Sequence, residues 1–378
     1  MIKNKNYIIF FYIMTSFCFG LEASEFRYWL RSPKALLMGD AFTAVTDDAY
    51  TLFYNPAALG GVKDLQIAPL NVNVGVTNFL ANMDILDDFP ADAVGIANKV
   101  MNIPIYTQLG TAPGFKMGPL AVSLIANTSA SIALRNATHP ILDIDYRYDK
   151  GVVIGYAYSM GSGGKRVKGV IQPGYRLSLG TAIKTISREG LQGSFSFFGT
   201  DLLNAVNGSS DFDVIRKKMG YSVGNGYGFD AGAEVGMASG NILIKSGFSV
   251  LDITDTKFVR TEGFRVIPRQ KMAMNWGISF TQQFLLFDYT LSADLHPINT
   301  TADFASKIHF GLQIGLPGLK LFAGFNGGYP SFGGTIKFWP ISITAGIYGV
   351  ELGSSYRENQ GARGILYLSL LDVDLDIF

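Results

Sequence analysis

From Asp64 onward the chain alternates with a period of two, in one segment after another. In 120–134 one side carries Leu120, Val122, Leu124, Ala126, Ala130, Ile132 and Leu134, and the other carries Ala121, Ser123, Ile125, Asn127, Ser129, Ser131 and Ala133. In 229–237 Phe229, Ala231, Ala233, Val235 and Met237 alternate with Asp230, Gly232, Glu234 and Gly236. The same holds for 176–186, 272–280, 308–316 and 341–350. Successive side chains of a strand point to opposite faces, so each segment reads as a strand with one apolar face and one small or polar face.

Two architectures suit such strands: a soluble protein with a large sheet core, or a closed transmembrane barrel. Charged residues make up only 16% of the chain against 48% apolar, well below the roughly 25% charge of soluble domains. Beyond the N-terminus no run of about 18 apolar residues offers a spanning helix. The turns decide between the two. Short connections fall at Gly118-Pro119, Asp149-Lys150-Gly151, Ser239-Gly240, Gln282-Gln283, Pro317-Gly318 and Trp339-Pro340. Longer ones fall near 80–104, 160–171, 200–224, 251–270, 294–306 and 351–361. Alternating tight turns and long loops are the habit of outer-membrane barrels. The expected fold class is therefore all-β, a transmembrane antiparallel β-barrel. Counting segments directly suggests about sixteen strands.

The first residues read as a secretory signal. Lys3 and Lys5 precede the apolar run Tyr7–Gly20, and Ala23 is a plausible cleavage position. The only cysteine, Cys18, lies in that run, so no disulfide forms within the chain. Three regions follow: a signal peptide at 1–23, an N-terminal segment at 24–62 and a barrel at 63–378. The middle region has no strand period. Ser32-Pro33 should open a helix, since Ser caps and Pro suits the first turn. Asp47 and Asp48 are expected to cap a second short helix over 49–54, which Asn55-Pro56 should end.

The stretch LLMGDAFTAVTDDAYTLFYNPAAL, 36–59, resembles the N-terminal motif of the FadL-type long-chain fatty acid transporters and related outer-membrane proteins. Met38, Gly39, Ala41, Phe42, Ala44, Val45, Asp47, Asp48, Ala49, Tyr54, Asn55, Pro56, Ala57 and Leu59 carry the match. A weaker likeness over 323–353, through Gly328-Tyr329-Pro330-Ser331 and Tyr348-Gly349-Val350-Glu351-Leu352-Gly353, points to a PorV-like or uncharacterised branch. The resemblance implies about 14 strands rather than sixteen. It implies a partly helical N-terminal plug inside the lumen, and passage of a hydrophobic compound such as a fatty acid or aromatic hydrocarbon by plug-gated diffusion. It places the chain in the outer membrane of a Gram-negative-type bacterium, delivered by the barrel assembly machinery and surrounded by outer-membrane lipid. The PorV-like branch implies an alternative: a non-transporting barrel that docks a protein partner or serves secretion.

On this reading the plug and gate residues are Gly39, Phe42, Asp47, Asp48, Asn55 and Pro56. Gly39 would let the plug approach the wall, Asp47 and Asp48 would cap their helix or pair with a lumen cation such as Arg176, and Asn55 would bond the turn at Pro56. Phe79, Leu80, Met83, Leu86 and Phe89, around Asp84, Asp87 and Asp88, are candidates for a substrate groove, and 197–219 is a second apolar insert. No catalytic constellation, cofactor motif or metal site is expected. His139, His296 and His309 stand far apart in sequence, and Gly161–Arg166 lacks phosphate-loop spacing, reading as a basic outer loop. A net charge of +1 gives no footprint for nucleic acid. At the C-terminus Phe378 suits a barrel's last residue, but Asp372, Asp374 and Asp376 share its phase. A break near Leu370-Leu371 would either turn them inward or end the wall there.

Overall fold

The computed structural model describes residues 25–62, 65–77, 101, 103–136, 138–167, 169–196, 216–353 and 355–375. The strands close into one antiparallel barrel of fourteen staves. In chain order these are β1 (Leu65–Ala68 with Leu70–Thr77), β2 (Ile105–Thr111 with Gly114–Met117), β3 (Leu120–Arg135), β4 (Ile141–Met160) and β5 (Gly174–Ser196). There follow β6 (Ser222–Ser239), β7 (Ile242–Leu251 with Phe258–Glu262), β8 (Ala273–Gln283), β9 (Asp288–Leu295) and β10 (Ile308–Leu316). The last four are β11 (Leu319–Asn326), β12 (Tyr329–Phe338), β13 (Ile341–Glu351) and β14 (Gln360–Leu370 with Val373–Leu375). Closure is direct: Arg363 to Leu370 of β14 pair with Thr77 to Leu70 of β1.

The faces follow the alternation. Leu124, Leu179, Ile183, Phe229, Ile278, Phe310 and Leu366 are outward and about half exposed, while Asn127, Lys184, Asp230, Asp294 and His309 are inward and buried. An apolar outside and a polar inside on a closed barrel is the transmembrane arrangement. Among the described residues no helix is long and apolar enough to cross a membrane.

Two expectations need correction. Asp149-Lys150-Gly151 is not a turn. It lies inside the 20-residue β4, where Arg188 of β5 takes both oxygens of Asp149 at 2.6 and 2.8 Å. That buried pair overrides the turn preference of Asp and Gly. Cutting β4 there, and dividing the 23-residue β5, is what inflates a count to sixteen. A membrane needs only about 9–11 residues per strand, so β4 and β5 run well past it. The second correction follows from the first. The connection 161–173 joins β4 to β5 at the end of the barrel that carries the tight turns, not among the long loops. There it forms a small hairpin, Lys165–Val167 with Val170–Gln172. Alternation of turn length is also imperfect at the loop end, where Gly327-Gly328 joins β11 to β12 tightly.

The last stave does break. Leu371 takes a positive φ of 60°, and Val373–Leu375 then resumes pairing with Leu65–Ile67. Phe378 lies outside the described residues.

The N-terminal segment 25–62 lies inside the ring. At several inward glycines of the staves this segment fills the space. Gly155 of β4 meets Leu52, Gly180 of β5 meets Pro56 and Ala57, Gly232 of β6 meets Asn55, Gly311 and Gly324 meet Met38, and Gly333 and Gly346 meet Leu37. Its helical content is smaller than expected. Ser32 caps a single α-turn, α1 (Pro33–Leu37), by accepting from Ala35 N–H. Two 3₁₀ turns, Thr51–Phe53 and Pro56–Gly61, complete it. A longer helix, about 10–12 Å across with its side chains, would not lie this flat on so many staves.

Candidate functional site: the N-terminal segment against the lumen wall

Toward the loop end the segment presents large side chains to charged staves. The Glu25 carboxylate receives two bonds of 2.7 Å from Arg363 of β14, whose guanidinium lies 3.6 Å above the Tyr106 ring. Burial pushes the Glu25 carboxyl up, but Arg363, Arg27 and Arg31 push it further down, to about 2. Trp29 donates its indole N–H to the Asp252 carboxylate at 2.9 Å. Its ring has Arg188 at 4.6 Å on the way to Asp149. Lys184 bridges Asp230 and Asp252 at 2.8 and 3.0 Å. Two amides hold the backbone: Asn127 donates to Trp29 O at 2.9 Å and Asn73 to Arg31 O at 3.1 Å.

In the middle the contact changes to backbone on backbone. Gly39 and Asp40 take φ of 63° and 65°. A Cβ on Gly39 would stand 2.4 Å from Phe310 O and 2.5 Å from Phe325 N, so only glycine fits this left-handed position against the wall. Ser331 Oγ accepts Gly39 N–H at 2.9 Å. Asp294 Oδ2 accepts the N–H groups of Phe42 and Thr43 at 2.9 and 2.7 Å. Asp40, buried, pairs with Arg31.

Beside that turn His296 and His309 stack with centroids 3.9 Å apart and planes within 5°. Together with Asp40 their ligand atoms lie within 4.8 Å of one another. Each ring nitrogen already faces another polar atom. His309 Nδ1 faces Gly39 O at 3.0 Å and Nε2 faces His296 O at 3.1 Å. His296 Nε2 faces Asp40 O and Nδ1 faces Tyr28 Oη. Parallel rings also aim their lone pairs side by side rather than at one point, so the trio suits a structural clamp better than a metal.

Toward the turn end lies the acidic pair. Asp47 binds Lys34 at 2.8 and 3.0 Å, while Asp48 binds Ser32 Oγ and accepts Tyr50 N–H at 2.9 Å. Asp48 thus holds a local turn, but the 3₁₀ turn Thr51–Phe53 begins from Tyr50 without a side-chain cap, so neither aspartate caps the helix expected over 49–54. The alternative partner, Arg176, is engaged elsewhere, with Glu234 and Ser178. Asn55 accepts Ala57 N–H at 3.1 Å and caps the turn that Pro56 begins. It also donates to Thr43 O and, across to β6, to Ala233 O. Below this pair a vestibule of about 260 Å³ opens at the turn end, lined among others by Lys34, Asp47, Lys116, Lys320, Lys337 and Tyr367.

Of the expected gate residues, Gly39, Phe42, Asn55 and Pro56 meet the wall directly, and Asp47 and Asp48 face the vestibule. Phe79, Leu80, Met83, Leu86 and Phe89 lie outside the described residues, as does most of the second insert. Trp29, Arg363, Asp294 and the histidine pair are the anchors that reading the sequence missed. Of these only His309 was legible as a residue on the polar face of a strand; the partners were not.

No protein-family model matches the chain, and no curated protein does. In outline the chain is similar to solved monoaromatic hydrocarbon channels. The CymD channel is 11% identical over 93% of this chain and 100% of its own, with a TM-score of 0.46. A deltaS2 mutant of the TodX channel is 10% identical over 95% and 100%, also at 0.46. The toluene transporter TbuX of Ralstonia pickettii is 8% identical over 92% and 100%, at 0.41. Likeness at this level says nothing about cargo.

Proposed function

We propose that this chain is an outer-membrane channel for hydrophobic small molecules, closed by residues 25–62 acting as a plug. The observation that carries the reading is the lodging of a small-residue segment inside a closed barrel whose outside is apolar. Gly39, Ala41, Ala44, Ala57 and Ala58 keep that segment thin, and the wall supplies glycines to receive it. Its resemblance to the FadL-type motif supports the same reading. Cargo would enter at the loop end and would leave by the vestibule into the periplasm. Burial of cargo drives capture, at about 0.8 kcal/mol per methylene. No other energy source is required. With Gly39 flush on the wall, passage requires the plug to shift.

One observation favours the second reading, a sealed barrel that docks a protein. The loop half of the lumen wall is lined by buried ion pairs between nearby staves, Arg188 with Asp149 and Lys184 with Asp230 and Asp252. Proteoliposome uptake of radiolabelled toluene and of a long-chain fatty acid separates the two. A channel raises the rate for at least one above that of empty vesicles. A sealed barrel leaves both at the empty-vesicle rate.

A further inference from the structure

On the lipid-facing side, staves β7 to β11 carry a groove of about 620 Å³, a size typical of small-molecule sites. The register explains it. Outward positions here are Ile244, Ile278, Phe280, Leu291, Phe310, Leu312 and Phe325, with alanine at 293 and 323. Ala293 lies between Ile278 and Phe310 across the strands, and Ala323 lies beside Leu312. Two missing side chains among large neighbours leave a trough.

The floor is stiff. Directly behind it the inward glycines Gly311 and Gly324 press on Met38 and Gly39 of the N-terminal segment, with no side chain between. The lining side chains hold no charge, and the serines at its floor, Ser279 and Ser292, point inward and are buried. Phe310 and Phe325, paired across β10 and β11, wall it toward the loop end, and Phe280 walls it toward the turn end.

We infer that this groove seats one acyl chain of a membrane lipid. Its place in the lipid-facing belt decides the occupant: what meets it is hydrocarbon, and nothing in it would bind a head group. A chain already in lipid gains no hydrophobic energy by entering. It gains van der Waals contact with a concave wall that a flat stave does not offer. The chain is therefore ordered there and not on the neighbouring wall, where Ile154, Ile183 and Phe229 project from β4, β5 and β6.

The test uses the full chain in bilayers containing a phospholipid with a diazirine near the middle of one acyl chain. After irradiation, labelled peptides are mapped by mass spectrometry. Labelling of the peptides holding 278–293 and 310–325 should exceed that of the peptides holding 154 and 183. The variants Ala293→Phe and Ala323→Phe fill the trough from its lipid side, and each should lower groove labelling about threefold or more without changing the wall of β4 and β5. Heat-dependent gel mobility checks that each variant is folded. Equal labelling of both walls in the wild type overturns the inference. So does labelling that survives both fillings, or a dimer whose cross-links bury the groove.

Discussion

The N-terminal segment is held in two different ways along its length. Residues 25–32 meet the wall through long side chains: Glu25 pairs with Arg363 and Trp29 donates to Asp252. Residues 36–60 meet it through shape, glycine and alanine against backbone, with backbone N–H groups donating to Asp294 and Ser331 and Asn55 donating to Ala233 O. Polar pairs can separate singly and be replaced by water. A backbone seat is kept or lost as a whole. If the segment is a plug, residues 25–32 are a latch and residues 36–60 a stopper.

The largest effect should come from the stopper. Gly39→Ala adds a Cβ at a left-handed position, 2.4 Å from Phe310 O, and should cost about 4 kcal/mol in strain and overpacking. Protease sensitivity of 25–62 should rise sharply while the barrel keeps its heat-dependent gel mobility. Next is the latch: Arg363→Ala leaves the Glu25 carboxylate without its main partner and should cost about 3 kcal/mol. The double variant Glu25→Gln with Arg363→Met should recover most of that, as a double-mutant cycle will read.

The same pair has a pH signature. The folded Glu25 pKa, about 2, lies below its ordinary value of 4.5. The stability from this group is thus complete above about pH 4.5 and fades as pH falls toward 2. Protease protection of the segment should follow that course and lose it in Glu25→Gln. The smallest change is Asn55→Ala, about 1 kcal/mol, from loss of a turn cap, read as a shift in the urea midpoint of segment release.

What the sequence disclosed follows the range of each interaction. Ser32-Pro33 opening α1 and Asn55 bonding the turn at Pro56 are short-range chemistry, and both stand as expected. The lipid-facing positions were legible too, because a period of two needs no partner to be seen. The anchors were not legible. Glu25 finds Arg363 at 338 residues' distance, and Trp29 finds Asp252 at 223, pairings set only once the staves close. Local reading failed at Asp149-Lys150-Gly151 for the same reason: a turn-like tripeptide became strand because Arg188 lies opposite. His296 and His309 looked unrelated until β9 and β10 paired.

The central claim is that cargo passes only when the stopper moves, and a cross-link tests it most directly. Leu52 Cδ2 lies 2.2 Å from where a Cβ on Gly155 would stand. Leu52→Cys with Gly155→Cys therefore frees that space and brings the two Cβ atoms into disulfide reach, about 3.5–4.5 Å. On a Cys18→Ser background no other thiol competes. Uptake of the cargo found in proteoliposomes should stop when the pair is oxidised and return on reduction, with the Leu52→Cys single variant unaffected. Unchanged uptake through the fully cross-linked protein would contradict the account.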